Sequence, residues 1–172
     1  MICNTQWLAA LAIGTLLSAG QYAAAEGDKA QAVDRSVQLY AREHLQVWNR
    51  DKAAGGEGAL LGDFAYTRHQ TDARDAFREI GWLTLPPGAS IGSHGHTDNE
   101  DVYIIISGKG IFTDSTGKEY EVGPGDITIA RPGQKHGLKN SGDESLVFLD
   151  LIAQTVLPED GKTAEPDKAH KH

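Results

Sequence analysis

Cysteine is nearly absent: the 172-residue chain has one, Cys3. A chain with a single thiol cannot close an internal disulfide or build a Cys-rich zinc site. Cations are also scarce, with 16 Lys and Arg against 24 Asp and Glu, for a formal net charge of -8. No basic run stands out, which argues against nucleic acid or an anionic membrane as partner, because phosphates are bound by clustered Lys and Arg. No nucleophile motif, phosphate loop or nucleotide fingerprint is present. The first 25 residues lack Asp, Glu, Lys and Arg altogether. Their apolar run, Trp7 to Leu17, is short for a membrane-spanning helix and ends on the small residues Ala23-Ala24-Ala25. This reads as a secretory leader cleaved after Ala25, although only the amino terminus supplies positive charge before the run. Cys3 lies inside it, so the mature chain would carry no cysteine. The expected location is periplasmic or secreted, with no membrane contact once the leader is gone.

Glycine, by contrast, is abundant at 20 residues, and many turns imply many short strands. The length suits one domain. Residues 28–50 carry Val33, Val37, Tyr40 and Trp48 at near-helical spacing, with Asp28 as a cap, and predict an arm over 26–54, helical or extended, packed on the domain. Gly55-Gly56-Glu57-Gly58 ends it. The domain proper is expected over 55–157. Candidate strands are 59–67, 78–85, 90–96, 101–106, 111–114, 118–122, 126–130, 135–138 and 146–152, each bounded by Gly, Pro or polar turns. Asp101–Ile106, rich in β-branched residues, reads as buried on both faces. The pattern predicts an all-β sandwich or barrel of the jelly-roll type. The tail from 158 to 172 is polar and reads as disordered, with His170 and His172 solvated.

Three of the seven histidines stand in an arrangement that points to chemistry. His94 and His96 are two apart on a candidate strand, so both rings leave one face. A carboxylate follows, Glu100 or Asp101, and His136 lies on a later strand that a barrel can bring alongside. Three imidazoles and a carboxylate suit one divalent transition ion, Mn, Fe, Ni, Co, Cu or Zn. Gly88, then His94-Gly95-His96, then Gly108 resemble the first motif of the cupin superfamily. Gly125, Gly133, His136 and Asn140 resemble its second motif. The resemblance covers about residues 58–153 and implies a double-stranded β-helix, a bound metal and a homodimer, with the segment before Gly55 covering an open sheet edge. Arg131 occupies the proline slot of the second motif, displacing proline to Pro132. The carboxylate position is ambiguous: counting on from His96 selects Glu100, counting back from Gly108 selects Asp101. Strand register favours Asp101, with Glu100 as the alternative.

Further candidates follow. Tyr103 is either a core residue or a hydrogen-bond donor near the ion. Asp150 interrupts an apolar run and is either a pocket group or an outward edge residue. Trp82 and Phe112 read as core. His69 sits in a charged loop beside Arg68 and Arg74, and Asn140 is expected to bond backbone in its turn. The fold does not choose the reaction. The reading that follows is a metal-dependent enzyme on a small oxygen-bearing molecule, a carboxylate or sugar-like compound. Oxygenase, decarboxylase and isomerase chemistry stay open, and Tyr103 and Asp150 are the candidate catalytic groups. The alternative is a non-catalytic module that binds or senses a small ligand through its metal. The leader reading predicts a mature amino terminus at Glu26, checked by intact mass spectrometry of the exported protein; an intact Met1 on a cytosolic protein would contradict it.

Overall fold

A computed structural model describes residues 31–72 and 75–154. The leader with Cys3, Asp28, Arg74 and the polar tail with His170 and His172 lie outside the described residues. Eleven strands run through the rest: β1 (Gln46–Val47), β2 (Arg50–Asp51), β3 (Ala59–Tyr66), β4 (Phe77–Leu85), β5 (Ser90–Gly95), β6 (Asn99–Ser107), β7 (Gly110–Thr113), β8 (Glu119–Val122), β9 (Ile127–Ala130), β10 (Lys135–Asn140) and β11 (Leu146–Gln154). They form two antiparallel sheets. The larger runs β1-β3-β4-β11-β6-β9, with β2 also on β3, and the smaller runs β5-β10-β7-β8. This is the jelly-roll barrel that the strand pattern predicts.

Alternation along the strands makes the core. On β11 the inward residues Leu146, Phe148, Asp150 and Ile152 are buried, and on β6 Asp101, Tyr103 and Ile105 are. Leu60, Phe64, Leu83, Leu85 and Leu138 join them from the other strands. The Phe64 ring lies so close over Gly62 and Gly81 that a Cβ on either would collide with it. Those two glycines are thus what lets the ring lie flat on the inner face of the sheet.

Two expectations need correction. β6 is not buried on both faces: Val102 and Ile104 are only partly covered and Ile106 is exposed. Trp82 is not core either, being 37% exposed on the outer face. Both misreadings have one cause. The outer face of the large sheet is itself apolar, so its strands read as buried where no second layer covers them. Strand register aligns Trp82, Leu149, Ile104 and Ile127 in one row and Ile80, Leu151, Val102 and Ile129 in the next.

Of the two forms expected for the arm, helical or extended, residues 31–50 take the extended one. One short turn of 3-10 helix, Arg42–His44, is followed by β1 and β2. The arm is extended and lies along β3, with the Trp48 N–H donating to the Gly62 carbonyl at 2.9 Å and Tyr40 edge-on to Tyr66. Val37, which helped set the helical spacing, stays exposed. An amphipathic period wins only when its apolar face is buried; here the open edge of β3 offers backbone hydrogen bonds instead. Beyond β2 the chain turns sharply, with Lys52 and Ala54 in the left-handed region (φ 48° and 51°). The turn lies flat on β5, where a Cβ at Gly92 would strike the Ala54 carbonyl. The arm is thereby fixed against the strand that carries His94. No helix among the described residues is long and apolar enough to cross a membrane.

Candidate metal centre

The histidines come from the small sheet. β10 pairs with β5 so that His136 stands opposite His94 and Leu138 opposite Ile91. The extra residue on β5 is a bulge, and it lets Ile91 and His94 both serve the interior despite their odd spacing. His96 follows β5 directly, tied by its N–H to the Gln134 carbonyl at 3.0 Å and by its carbonyl to the Gly133 N–H at 2.7 Å. The carboxylate comes from the large sheet, Asp101 on β6. The centre therefore closes only when the two sheets pack.

Its polar atoms converge. His136 Nε2 lies 3.0 Å from His96 Nε2 and 3.2 Å from His94 Nε2. Asp101 Oδ2 lies 3.3, 3.5 and 3.8 Å from the Nε2 atoms of His136, His96 and His94. The outer ring nitrogens set the tautomers. His94 Nδ1 donates to the Gly92 carbonyl at 2.9 Å. His96 Nδ1 donates to Asn99 Oδ1 at 2.7 Å, and Asn99 is oriented by its own amide, which donates to Asp98. Both histidines therefore turn a bare Nε2 lone pair inward, the arrangement that supports metal-bound imidazoles. His136 Nδ1 is buried without a partner, so neither tautomer of that ring satisfies both nitrogens. A cation at the centre resolves the lone-pair repulsion. The spacing also fits, since two atoms each about 2.1 Å from one ion are about 3.0 Å apart at a right angle. The donor set of three nitrogens and one oxygen suits a divalent transition ion, and the identity of the ion is left open by it.

Electrostatics point the same way. Burial alone would raise the Asp101 carboxyl, but the neighbouring His136, His94 and Asp150 side chains outweigh it and hold the group well below the ordinary carboxylate range. Burial pushes His96 below its ordinary value, with Asn99 and Asp101 opposing and the other two imidazoles assisting. A neutral imidazole beside an ionised carboxylate is the protonation state that metal binding requires.

Glu100 is not at the centre. Its side chain is solvated, with Oε1 3.8 Å from Arg131 Nε. Tyr103 stacks on His136 with centroids 4.8 Å apart and planes 19° apart. Burial, then the charges of Asp101 and Asp150, keep its phenol protonated. Asp150 faces inward between Gly81 and Tyr103. Burial first, then Asp101, push its carboxyl well above the ordinary range. Phe112 is partly buried against the core. His69 is exposed and packs edge-on to Trp48. Asn140 donates to the carbonyls of Leu85 and Glu144 at 2.8 Å each, holding the turn as expected.

Beside the histidines lies an interior space of about 160 Å³, lined by Arg50, Arg68, His94, Asp101, Tyr103 and Asp150 among others. A wider groove of about 490 Å³ runs outside the small sheet over Ser90, Thr113 and Lys139, away from this chemistry. The arginines and Glu79 escaped sequence reasoning. Arg68 grips the wholly buried Glu79 through two nitrogens at 3.0 Å each. Arg50 lay in the arm, and only its pairing with Leu60 on β3 shows which way it turns.

A cupin domain profile matches residues 81–152. The chain is 32% identical over 98 residues to an oxalate-binding protein of Thermotoga maritima, covering 57% of this chain and 78% of that protein. It is 33% identical over 73 residues to a gentisate 1,2-dioxygenase of a Ralstonia species, covering 42% of this chain but only 20% of that enzyme. Among solved structures, a predicted oxalate decarboxylase from Thermotoga maritima superposes with a TM-score of 0.61 at 26% identity, covering 67% of this chain and 98% of that one.

The site predicts an acid-sensitive fold. The folded chain holds His96 below its ordinary value of 6.5, so as pH falls through 6.5 the unfolded chain takes up the proton first and stability drops. Asp101 adds nothing in this window, because its contribution is lost only below the ordinary 3.8. Asp150, with a raised value, pulls the opposite way by favouring the fold as pH falls. Protons also displace a bound ion from neutral imidazoles. Melting temperatures measured from about pH 7.5 to pH 5 should therefore fall more steeply for metal-loaded than for chelator-treated protein. Parallel curves would contradict a stabilising ion.

Proposed function

We propose, from the premise that the chain belongs to the cupin family, that it uses one divalent ion to bind and transform a small carboxylate. The observation that carries this is the convergence of His94, His96, Asp101 and His136, of which His94 and Asp101 line a small cavity together with two arginines. A divalent ion held by these four would supply Lewis acidity and open positions for an oxygen-bearing ligand. The other residues supply what the ion cannot. Asp150, its carboxyl pushed well above the ordinary range by burial and Asp101, stands at the cavity wall as the group there most ready to carry a proton. Tyr103 keeps its phenolic proton and stacks His136 in place. The leucine and isoleucine walls, Leu60, Leu83 and Ile91, exclude water.

Size narrows the ligand. A space of about 160 Å³ equals roughly five waters at about 30 Å³ each, enough for a short-chain acid and tight for an aromatic one. The named ligand of the oxalate-binding relative is of this size. That relative's description as a binder also favours a second reading, a module that captures the acid without changing it. Calorimetric titration of metal-loaded protein should give oxalate binding that chelation or His94→Ala abolishes. Equal binding after chelation would remove the ion from the reading. Oxygen uptake or carbon dioxide release by the same protein separates the enzyme from the binder.

We further propose that the chain pairs with a second copy through the outer face of the large sheet. Five strands at about 4.8 Å spacing and about 30 Å of length for nine residues give a face of about 700 Å². That is close to the roughly 800 Å² per partner of a standard interface. Its middle rows are apolar on four of these strands, from Trp82 on β4 to Ile127 on β9 and from Ile80 to Ile129, and end on β3 at Asp63 and Tyr66. A flat apolar face of this extent matches a copy of itself. Light scattering at micromolar concentration should report a dimer that Ile104→Lys converts to monomer. A monomeric wild-type chain would refute the pairing.

A further inference from the structure

Among the described residues Arg50 forms no close ion pair, although its charge acts on Asp150 and Tyr103 across the cavity. Its Nε is buried and has no hydrogen-bond partner, and it forms no ion pair with Asp101, Asp150 or Glu79, although it shares the cavity with the first two. The other charges around the space are committed. Arg68 is bidentate on Glu79, and Asp101 is surrounded by the imidazoles. A guanidinium does not neutralise itself by losing a proton, and a buried N–H donor with no partner is costly.

The side chain is nonetheless held in place. Its guanidinium lies 4.5 Å from the Trp48 ring centroid and 5.9 Å from that of Phe64, so aromatic faces fix its plane. Its backbone is paired with Leu60 on β3, and the turn after β2 is pressed onto β5 beside the histidines. An extended arm thus carries a planar donor fork, its buried Nε unpaired, to the cavity that His94 and Asp101 also line. Such a fork matches a carboxylate.

We propose that Arg50 receives the second negative end of a small dianion, a two- or three-carbon dicarboxylate, whose first carboxylate sits at the His94, His96, Asp101 and His136 centre. This rests on the carboxylate reading above and adds to it that the ligand is a dianion and that the arm selects it. The arm is then part of the site, and Arg50 discriminates di-acids from mono-acids of similar size.

The test is calorimetric titration of the full metal-loaded chain with oxalate, malonate and acetate, for wild type, Arg50→Met and Arg50→Lys, with metal content measured on each sample. Wild type should bind the di-acids more tightly than acetate. Arg50→Met should lose at least about tenfold for oxalate, the order of a charge-assisted hydrogen bond, and change acetate less than about threefold, with metal content unchanged. Arg50→Lys keeps the charge and the stem but not the fork, and should fall between; it serves also where the Met variant folds poorly. Oxalate binding undiminished in the Arg50 variants, or oxalate and acetate weakened together, overturns the proposal. Wild type binding acetate as well as oxalate overturns it while leaving the carboxylate reading standing. Wild type binding neither acid overturns both.

Discussion

The Nε2 atoms of His96 and His94 crowd within 3.0 to 3.2 Å of His136 Nε2 in a buried space, and their lone pairs repel unless a proton or a cation lies among them. The fold is arranged to impose this crowding. β5 is bulged so that His94 faces in, the turn at Gly133 clamps His96, and Asp101 arrives from the opposite sheet. The outer hydrogen bonds of His94 and His96 then lock the lone pairs inward. Packing of the two sheets and occupation of the centre are therefore coupled: the barrel builds the site, and an ion bound there would hold the sheets together.

The same logic extends outward. The interior of the large sheet is not wholly apolar. Glu79, Asp101 and Asp150 all face in and are buried, and each has a different answer to the cost of burial. Glu79 pairs with Arg68, Asp101 takes the imidazoles, and Asp150 has its carboxyl pushed well above the ordinary range. Around them Phe64, Phe148 and Leu83 give the barrel its apolar core. The polar stripe is affordable because it is confined to one end of the barrel, where the arm and its arginines close the wall.

Much of this was legible in the residues, for identifiable reasons. The strands were readable because Gly and Pro punctuate almost every turn, and β3 to β11 fall within a residue or two of their expected bounds. The bend at Gly125 and the turn at Gly133 (φ 95° and 84°) sit where glycine is needed, so the second motif survives Arg131 in its proline slot. The choice between Glu100 and Asp101 turned on register, since alternation on β6 sends Asp101, Tyr103 and Ile105 inward and leaves Glu100 outside. What was not legible depended on surfaces that sequence does not display. The arm looked helical because Val33, Val37 and Tyr40 happen to repeat near a helical period, while the free edge of β3 that captured it is a tertiary fact. Arg50 was hidden by that ambiguity, and Trp82 by the apolar outer face. Asp150 resolved inward only once its pairing with Tyr103 and Gly81 was known.

The central claim is that four particular side chains hold one ion, and that the carboxylate among them is Asp101. Metal content per chain, measured by elemental analysis on protein purified without a histidine tag, tests it most directly. Wild type and Glu100→Gln should carry about one ion per chain, while Asp101→Ala and His136→Ala should fall far below that. Full metal retention in Asp101→Ala with loss in Glu100→Gln would contradict the account, as would a wild-type chain that takes up no divalent ion at all.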